Sequence, residues 1–197
     1  MCIRDRRKAK KLASLPGFTV GRFQTPDEIA TFHPLARAVS ATTYQERLLD
    51  SGLPADLAPL LRLAAADRLR AWLLEVDGAP IAYLCCSADG DTLRYDHVGH
   101  DPAHAALSPG TVLQVEAMRD LFGEARFARF DFTEGEGQHK RQLATGGVPC
   151  VDLLLLRPTL ANRLALAALG AFDTSMAWAK RTATHPLLAR VAKKVRR

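Results

Sequence analysis

The chain reads as a mixed α/β domain in which an antiparallel meander of strands feeds a parallel crossover, with helices on the flanks. Three observations predict this. Strand-forming runs at 70–76, 80–86 and 92–99 are joined by the turns Asp77-Gly78 and Asp89-Gly90-Asp91. A Ser108-Pro109-Gly110 turn then opens an amphipathic helix over 111–122. Two more strand-like runs follow, at 126–132 and 150–156, so the order changes from hairpins to strand, helix, strand.

Element by element, residues 1–11 are a charge run without apolar periodicity, which predicts a basic, disordered segment over 1–24. Thr25 is placed to cap a helix over 26–40, with Pro26 at its first position and Asp27 and Glu28 in its first turn, where the helix dipole favours acids. Further helical stretches are expected at 43–51 and 54–67, broken at Ser51-Gly52 and Pro54. In the helix over 111–122, Val115, Met118 and Phe122 share the face expected to turn inward, while Gln114, Arg119 and Asp120 face water. The polar stretch 133–140 is a turn with a short helix, and a long Ala/Leu-rich helix begins after Pro158. The expected divisions are a segment over 1–24, a domain over 25–158 and a helical extension with a basic tail over 159–197.

Composition excludes several classes. Apolar residues make up 48% and charged residues 24%, an ordinary globular balance, and no apolar run is long enough to cross a bilayer. The start of the chain lacks the apolar core of a signal peptide, so the sequence predicts a cytoplasmic location, with membrane association open through the basic end. The net charge of +6 is carried by the ends: residues 1–11 hold +5 and 180–197 hold +7, which leaves −6 for 12–179. An acidic body without Arg-aromatic clusters argues against nucleic acid as a partner. The cysteines Cys2, Cys85, Cys86 and Cys150 show no metal or redox spacing; adjacent Cys85 and Cys86 point to opposite faces of a strand and are expected to be buried and reduced.

The chemistry concentrates between residues 95 and 140. A strand ending after Tyr95-Asp96-His97-Val98-Gly99 hands over to Ser108-Pro109-Gly110-Thr111-Val112 at a helix N-terminus. There, unpaired backbone N–H groups and the helix dipole favour an anion. Ser108 is a natural N-cap, Pro109 sits where a missing N–H is harmless, and Gly110 lets an anion approach the backbone. Together with Phe130-Asp131-Phe132-Thr133-Glu134-Gly135-Glu136 and His139-Lys140, this passage resembles the GNAT-like acyltransferases associated with cellulose biosynthesis, the CelD/BcsL type, which are relatives of FemAB-like transferases. In that family the second motif begins Asp-Phe-Gly, whereas this chain carries Thr133 at the glycine position.

The resemblance implies a GNAT fold and an acyl-CoA, acetyl-CoA foremost, as the acyl donor. It implies that the pyrophosphate lies on Ser108, Pro109, Gly110, Thr111 and Val112, and that the pantetheine arm lies between the splayed strands holding residues 95–98 and 128–132. It also implies that the chain corresponds to the C-terminal half of a two-halved protein. The activity implied is acyl transfer to an amine or hydroxyl on a small molecule or glycan, in polysaccharide or envelope-glycan biosynthesis. Such a site must position the acceptor, take its proton and stabilise an oxyanion. Asp131, Glu134, His139 and Tyr95 are the catalytic candidates, and Lys140 joins the cofactor-binding set. Asp131 has an equally simple structural reading as a carboxylate capping the next turn. No metal is expected, because His97 and His100 face opposite sides of an extended strand. A rival reading is a non-catalytic scaffold that docks on a protein partner or membrane surface through 159–197.

Overall fold

A computed structural model of the protein describes residues 3–43, 46, 52–135, 137–151, 153 and 155–183. The chain divides into two compact units, Met1–Val148 and Pro149–Arg197. In the first unit the order is α1 (Ile3–Ala13), β1 (Thr19–Phe23), α2 (Pro26–Ser40), α3 (Ala58–Ala65), β2 (Leu69–Val76), β3 (Ala79–Asp89), β4 (Thr92–His100), a 3-10 turn (Pro102–Leu107), α4 (Pro109–Glu124), β5 (Arg129–Asp131) and α5 (Gln138–Leu143). The second unit contains α6 (Leu160–Ala183).

The five strands form one mixed sheet in the order β1-β2-β3-β4-β5, antiparallel throughout except for the parallel pairing of β4 with β5. The β2–β3 hairpin turns on Asp77 and Gly78, both with positive φ, the primed geometry that matches strand twist. On one face of the sheet, α1 and α4 cover Trp72, Leu84, Cys86 and Tyr95 with Leu12, Leu113, Ala117 and Leu121. On the other, α2 and α3 cover Leu73, Tyr83 and Cys85 with Ile29, Phe32, Ala36 and Leu60. Cys85 and Cys86 thus lie on opposite faces, as expected. Burial pushes the Cys85 thiol up to about 12 and raises that of Cys86 as well, so both are held as thiols.

Several expectations change. The segment over 1–24 is not disordered: α1 places fully buried Leu12 in the core, and β1 pairs along β2 from Thr19↔Glu75 to Phe23↔Ala71. Among the described side chains of α1, Leu12 alone is buried, too sparse a signal among lysines to register as a stripe, so the helix is set by its tertiary contact. The expected strand over 150–156 is absent among the described residues, where Cys150, Val151, Leu153, Leu155 and Leu156 carry no strand assignment. An apolar run has no strand identity without a neighbour to pair with. The expected helix over 43–51 lies almost wholly outside the described residues. The expected helix over 54–67 shortens to α3, with Pro59 in its first turn.

The helix α2 starts as its sequence dictates. Thr25 and Glu28 form a complete capping box, with the Glu28 carboxylate accepting from the Thr25 and Gln24 N–H groups at 2.9 and 2.8 Å. In α4 the buried stripe is Val112, Leu113, Ala117 and Leu121, with Gln114 buried beside it, whereas Phe122 is 83% exposed. The helix is apolar on more than one side, and the sheet selects the stripe starting at Val112 over the one expected at Val115.

Candidate functional site

The site begins where two strands part. β4 and β5 pair only at Thr92↔Arg129, Leu93↔Phe130 and Arg94↔Asp131. That pairing ends with Arg94, the residue before Tyr95. At the same point the register of β4 against β3 slips, Cys86 facing Tyr95 and Cys85 facing His97, so Asp96 is the extra residue of a bulge. The Asp96 carboxylate holds the bulge by accepting from the Ser87 N–H at 2.7 Å and from Arg94 Nε at 2.6 Å. An aromatic cluster packs at the base of the fork: Tyr95 meets Phe130 at 6.4 Å and Phe132 at 6.0 Å between ring centroids, and Phe130 meets Phe132 at 4.8 Å.

Above the fork lies a cavity of about 520 Å³, within the range of small-molecule sites. Strand β4 contributes Tyr95, Val98, Gly99 and His100; the start of α4 contributes Ser108, Gly110, Thr111 and Gln114; Thr43 closes the α2 side. The turn at Ser108 is left-handed, with φ 52° and ψ 52°, and its hydroxyl makes no capping bond. Its backbone carbonyl instead receives the Thr111 and Val112 N–H groups at 3.1 and 3.2 Å. Pro109 has no N–H, and Gly110 has no intrahelical acceptor by position, so the N–H of Gly110 is the donor the helix presents at the mouth. A Cβ on Gly110 would meet nothing nearer than His100 Nδ1, 3.8 Å away. The glycine therefore borders open space, whereas the Cβ position of neighbouring Gly99 is blocked by Tyr83 Cε1 at 2.5 Å and Thr43 Cγ2 at 3.0 Å.

The sequence candidates are distributed unevenly around this cavity. Tyr95, Ser108, Gly110 and Thr111 line it, while Val112 is buried in the core beneath. Burial raises the Tyr95 phenol well above its ordinary value, against the smaller opposing effect of a hydrogen bond from Gln114 Nε2 at 3.0 Å. Such a phenol keeps its proton near neutral pH and offers a hydrogen-bonding group to the cavity. Asp131 is exposed and accepts the Thr133 N–H at 2.8 Å, the turn-capping role. Thr133 itself sits at φ 60°, in the left-handed region that glycine occupies without strain. Lys140 directs its ammonium to the Thr133 and Glu134 carbonyls, bracing that same turn. Glu134 is exposed, Glu136 lies outside the described residues, and the side chain of His139 is not described.

Three residues that sequence reasoning set aside bear on the site. Gln114 was expected to face water but is 4% exposed and lines the cavity. Its position four residues after Gly110, on the same helical face, is the signal that identifies it. His100 flanks the Gly110 turn. His97, on β4 opposite Cys85, is held by burial below its ordinary value although Asp96 pulls it upward, so it is neutral near pH 7. Among the described residues no group of three His, Cys, Asp or Glu side chains is placed to hold a metal.

With this geometry in place, the family is clear. The family profile described as "Acetyltransferase (GNAT) domain" matches residues 4–141, well over half of the chain, and the protein belongs to that family. The acyl donor of GNAT acetyltransferases is acetyl-CoA. Among solved structures, an aminoglycoside acetyltransferase, meta-AAC0020, from an uncultured soil metagenomic sample in complex with sisomicin, is similar at 13% identity and a TM-score of 0.51. That likeness covers 72% of this chain and 97% of the other. A second, aminoglycoside acetyltransferase HMB0005 from an uncultured soil metagenomic sample, gives 14% identity and a TM-score of 0.52 over 71% of this chain and 99% of the other. At these identities the likeness establishes the fold. A search of curated proteins finds no match.

Proposed function

We propose that the protein transfers an acetyl group from acetyl-CoA to an amine or hydroxyl on a small molecule or glycan, with the thioester lying in the fork between β4 and β5. The observation that carries this reading is the coincidence of three features: strands that part at Tyr95, a cavity opening from that point, and the Gly110 turn at its mouth. Ser108–Val112 would receive the pyrophosphate, chiefly through the N–H of Gly110 and the N-terminal dipole of α4. The acceptor nitrogen or oxygen attacks the thioester carbonyl carbon, the tetrahedral intermediate expels the CoA thiolate, and the acceptor's proton passes to a base. Asp131 is engaged in its turn, so Glu134 and His139, which follow the fork in sequence, and neutral His97 are the candidates for that base. Tyr95 acts by hydrogen bonding. The matching of the second motif, including the left-handed Thr133, supports placing the chain with the CelD/BcsL and FemAB-like branch and its glycan acceptors. The basic segment over 159–197 is read as a docking arm for an anionic membrane surface or a protein partner. Neither reading requires a membrane-spanning helix, and no described helix is long and apolar enough to be one.

The activity is tested by following thiol release from acetyl-CoA with a panel of amino sugars, aminoglycosides and oligosaccharides. Acceptor-dependent release is expected. A protein that binds acetyl-CoA yet releases no thiol with any acceptor would favour the scaffold reading.

A further inference from the structure

Exposed apolar surface in this protein is concentrated in one stretch. Among the described residues, the large apolar side chains left open to water in the first unit are Phe122 and Val148; all the others belong to the second, along 151–156 and α6. Soluble proteins seldom leave so much apolar surface in water unless something covers it.

The helix α6 is also sided. With 3.6 residues per turn, Leu160, Leu164, Leu169, Phe172, Met176 and Trp178 fall within an arc of about 180°. Each is exposed, from 42% at Met176 to 74% at Leu160. Asn162, Arg163, Asp173 and Thr174 fall on the remaining side, where Leu166 is the large apolar exception. The sequence then adds charge: residues 180–197 hold +7 without an acid, whereas 12–179 hold −6.

These facts discriminate among covers. The first unit has too little exposed apolar surface to match the arc. A second copy of the arm would match the arc but not the charge, because Asp173 is the sole acid between 157 and 197 and two arms bring like charges together. An anionic bilayer answers both: its headgroup–acyl boundary takes an apolar helix side rich in Leu, Phe and Trp, and its phosphates attract Lys and Arg. No described helix is long and apolar enough to cross a membrane, so the contact is one lying in the plane of the surface.

We propose that α6 lies flat on an anionic lipid bilayer, with the side holding Leu164, Phe172 and Trp178 in the headgroup–acyl boundary and the basic end on the phosphates. The inference rests on the docking-arm reading of 159–197 and names the surface that arm meets. The same field repels the acidic remainder of the chain, which confines the contact to the arm.

The chain carries its own probe. Of its two tryptophans, Trp72 is fully buried and bonded to Asp120, whereas Trp178 is 69% exposed, so a change in emission on binding reports α6. The full chain is titrated with phosphatidylcholine vesicles and with vesicles containing about 30% phosphatidylglycerol, some with brominated acyl chains. Blue-shifted, bromine-quenched emission is expected with the anionic vesicles, at an affinity about tenfold or more above that for phosphatidylcholine, and weakening as salt rises to about 0.5 M. Phe172→Gln is expected to weaken binding about tenfold and Leu166→Gln, on the polar side, far less. Both side chains are exposed, and the comparison of lipids needs neither variant.

Absence of vesicle binding, or equal binding to both vesicle types, would overturn the inference and leave the docking arm to a protein partner. A dimer mass in sedimentation that Phe172→Gln abolishes would assign the arc to a second copy and overturn it as well. Vesicle binding without a change in Trp178 emission, unaltered by either variant, would place the lipid contact outside α6 and overturn the docking-arm reading itself.

Discussion

Thr133 shows how one residue can carry a local backbone cost that its neighbours hold in place. Its φ of 60° places a β-branched side chain in the left-handed region, where glycine alone is at ease, and the Asp131 carboxylate and Lys140 ammonium hold the turn from either side. Thr133→Gly is therefore expected to stabilise the protein by roughly 0.5–1 kcal/mol, the strain relieved less the entropy glycine loses on folding. A urea midpoint that falls would contradict this account of the turn. Gly99 makes the opposite case. With the Cβ position 2.5 Å from the Tyr83 ring, Gly99→Ala forces buried groups apart, and a loss of about 1–3 kcal/mol is expected from chemical denaturation. A change smaller than a few tenths would mean that Tyr83 can swing aside.

At the scale of elements, the meander over β2, β3 and β4 was legible because turn chemistry and strand composition agree there, and the helix after Ser108-Pro109-Gly110 was legible for the same reason. What misled was phase and pairing. Apolar residues surround α4, so periodicity alone could not choose between the stripe through Leu113, Ala117 and Leu121 and the stripe through Val115, Met118 and Phe122. The choice conceals Gln114, the residue that reaches the cavity. β1 and α1 are too short or too charged to announce themselves and exist through contacts with β2 and the core. The bulge at Asp96 depends on a register slip between strands, which one strand's sequence does not reveal. The phase of α4 is directly testable. Leu113→Ala should cost about 2–5 kcal/mol and Phe122→Ala under about 0.5 kcal/mol, measured by thermal or urea unfolding. Equal costs would show that the helix packs on a different face.

Across the whole molecule, a network of charges ties the end of α4 to the sheet. Arg70 is 2% exposed and binds Glu124 at 2.6 Å and Asp67 at 2.8 Å, while Arg22 reaches the same Glu124 at 2.6 Å. Burial alone would raise the Glu124 carboxyl, but Arg70 and Arg22 outweigh it and hold it below its ordinary value. Asp67 is lowered by its bond to Arg70, and Glu46 by its bonds to Arg37 and Ser40. Carboxyls depressed in the folded state contribute stability that is present above their unfolded values and lost as pH falls through their folded ones. Stability is thus expected to be level near neutral pH and to fall steadily below about pH 4.5, with Glu124→Gln shallowing the fall. An acid limb unchanged by that substitution would remove Glu124 from the network's pH response. The fold and the Gly110 turn could be read from local sequence; this network, the fork and the cavity could not, because each joins residues distant along the chain. The central claim, that the fork and turn form an acyl-CoA site, is tested most directly by calorimetric titration of acetyl-CoA into the protein and into Gly110→Asp. The Cβ position of Gly110 is open, so the variant should fold normally. Micromolar binding that disappears in Gly110→Asp, with unfolding unchanged, is the predicted result. Binding of equal strength in both proteins would place the donor elsewhere and contradict the account.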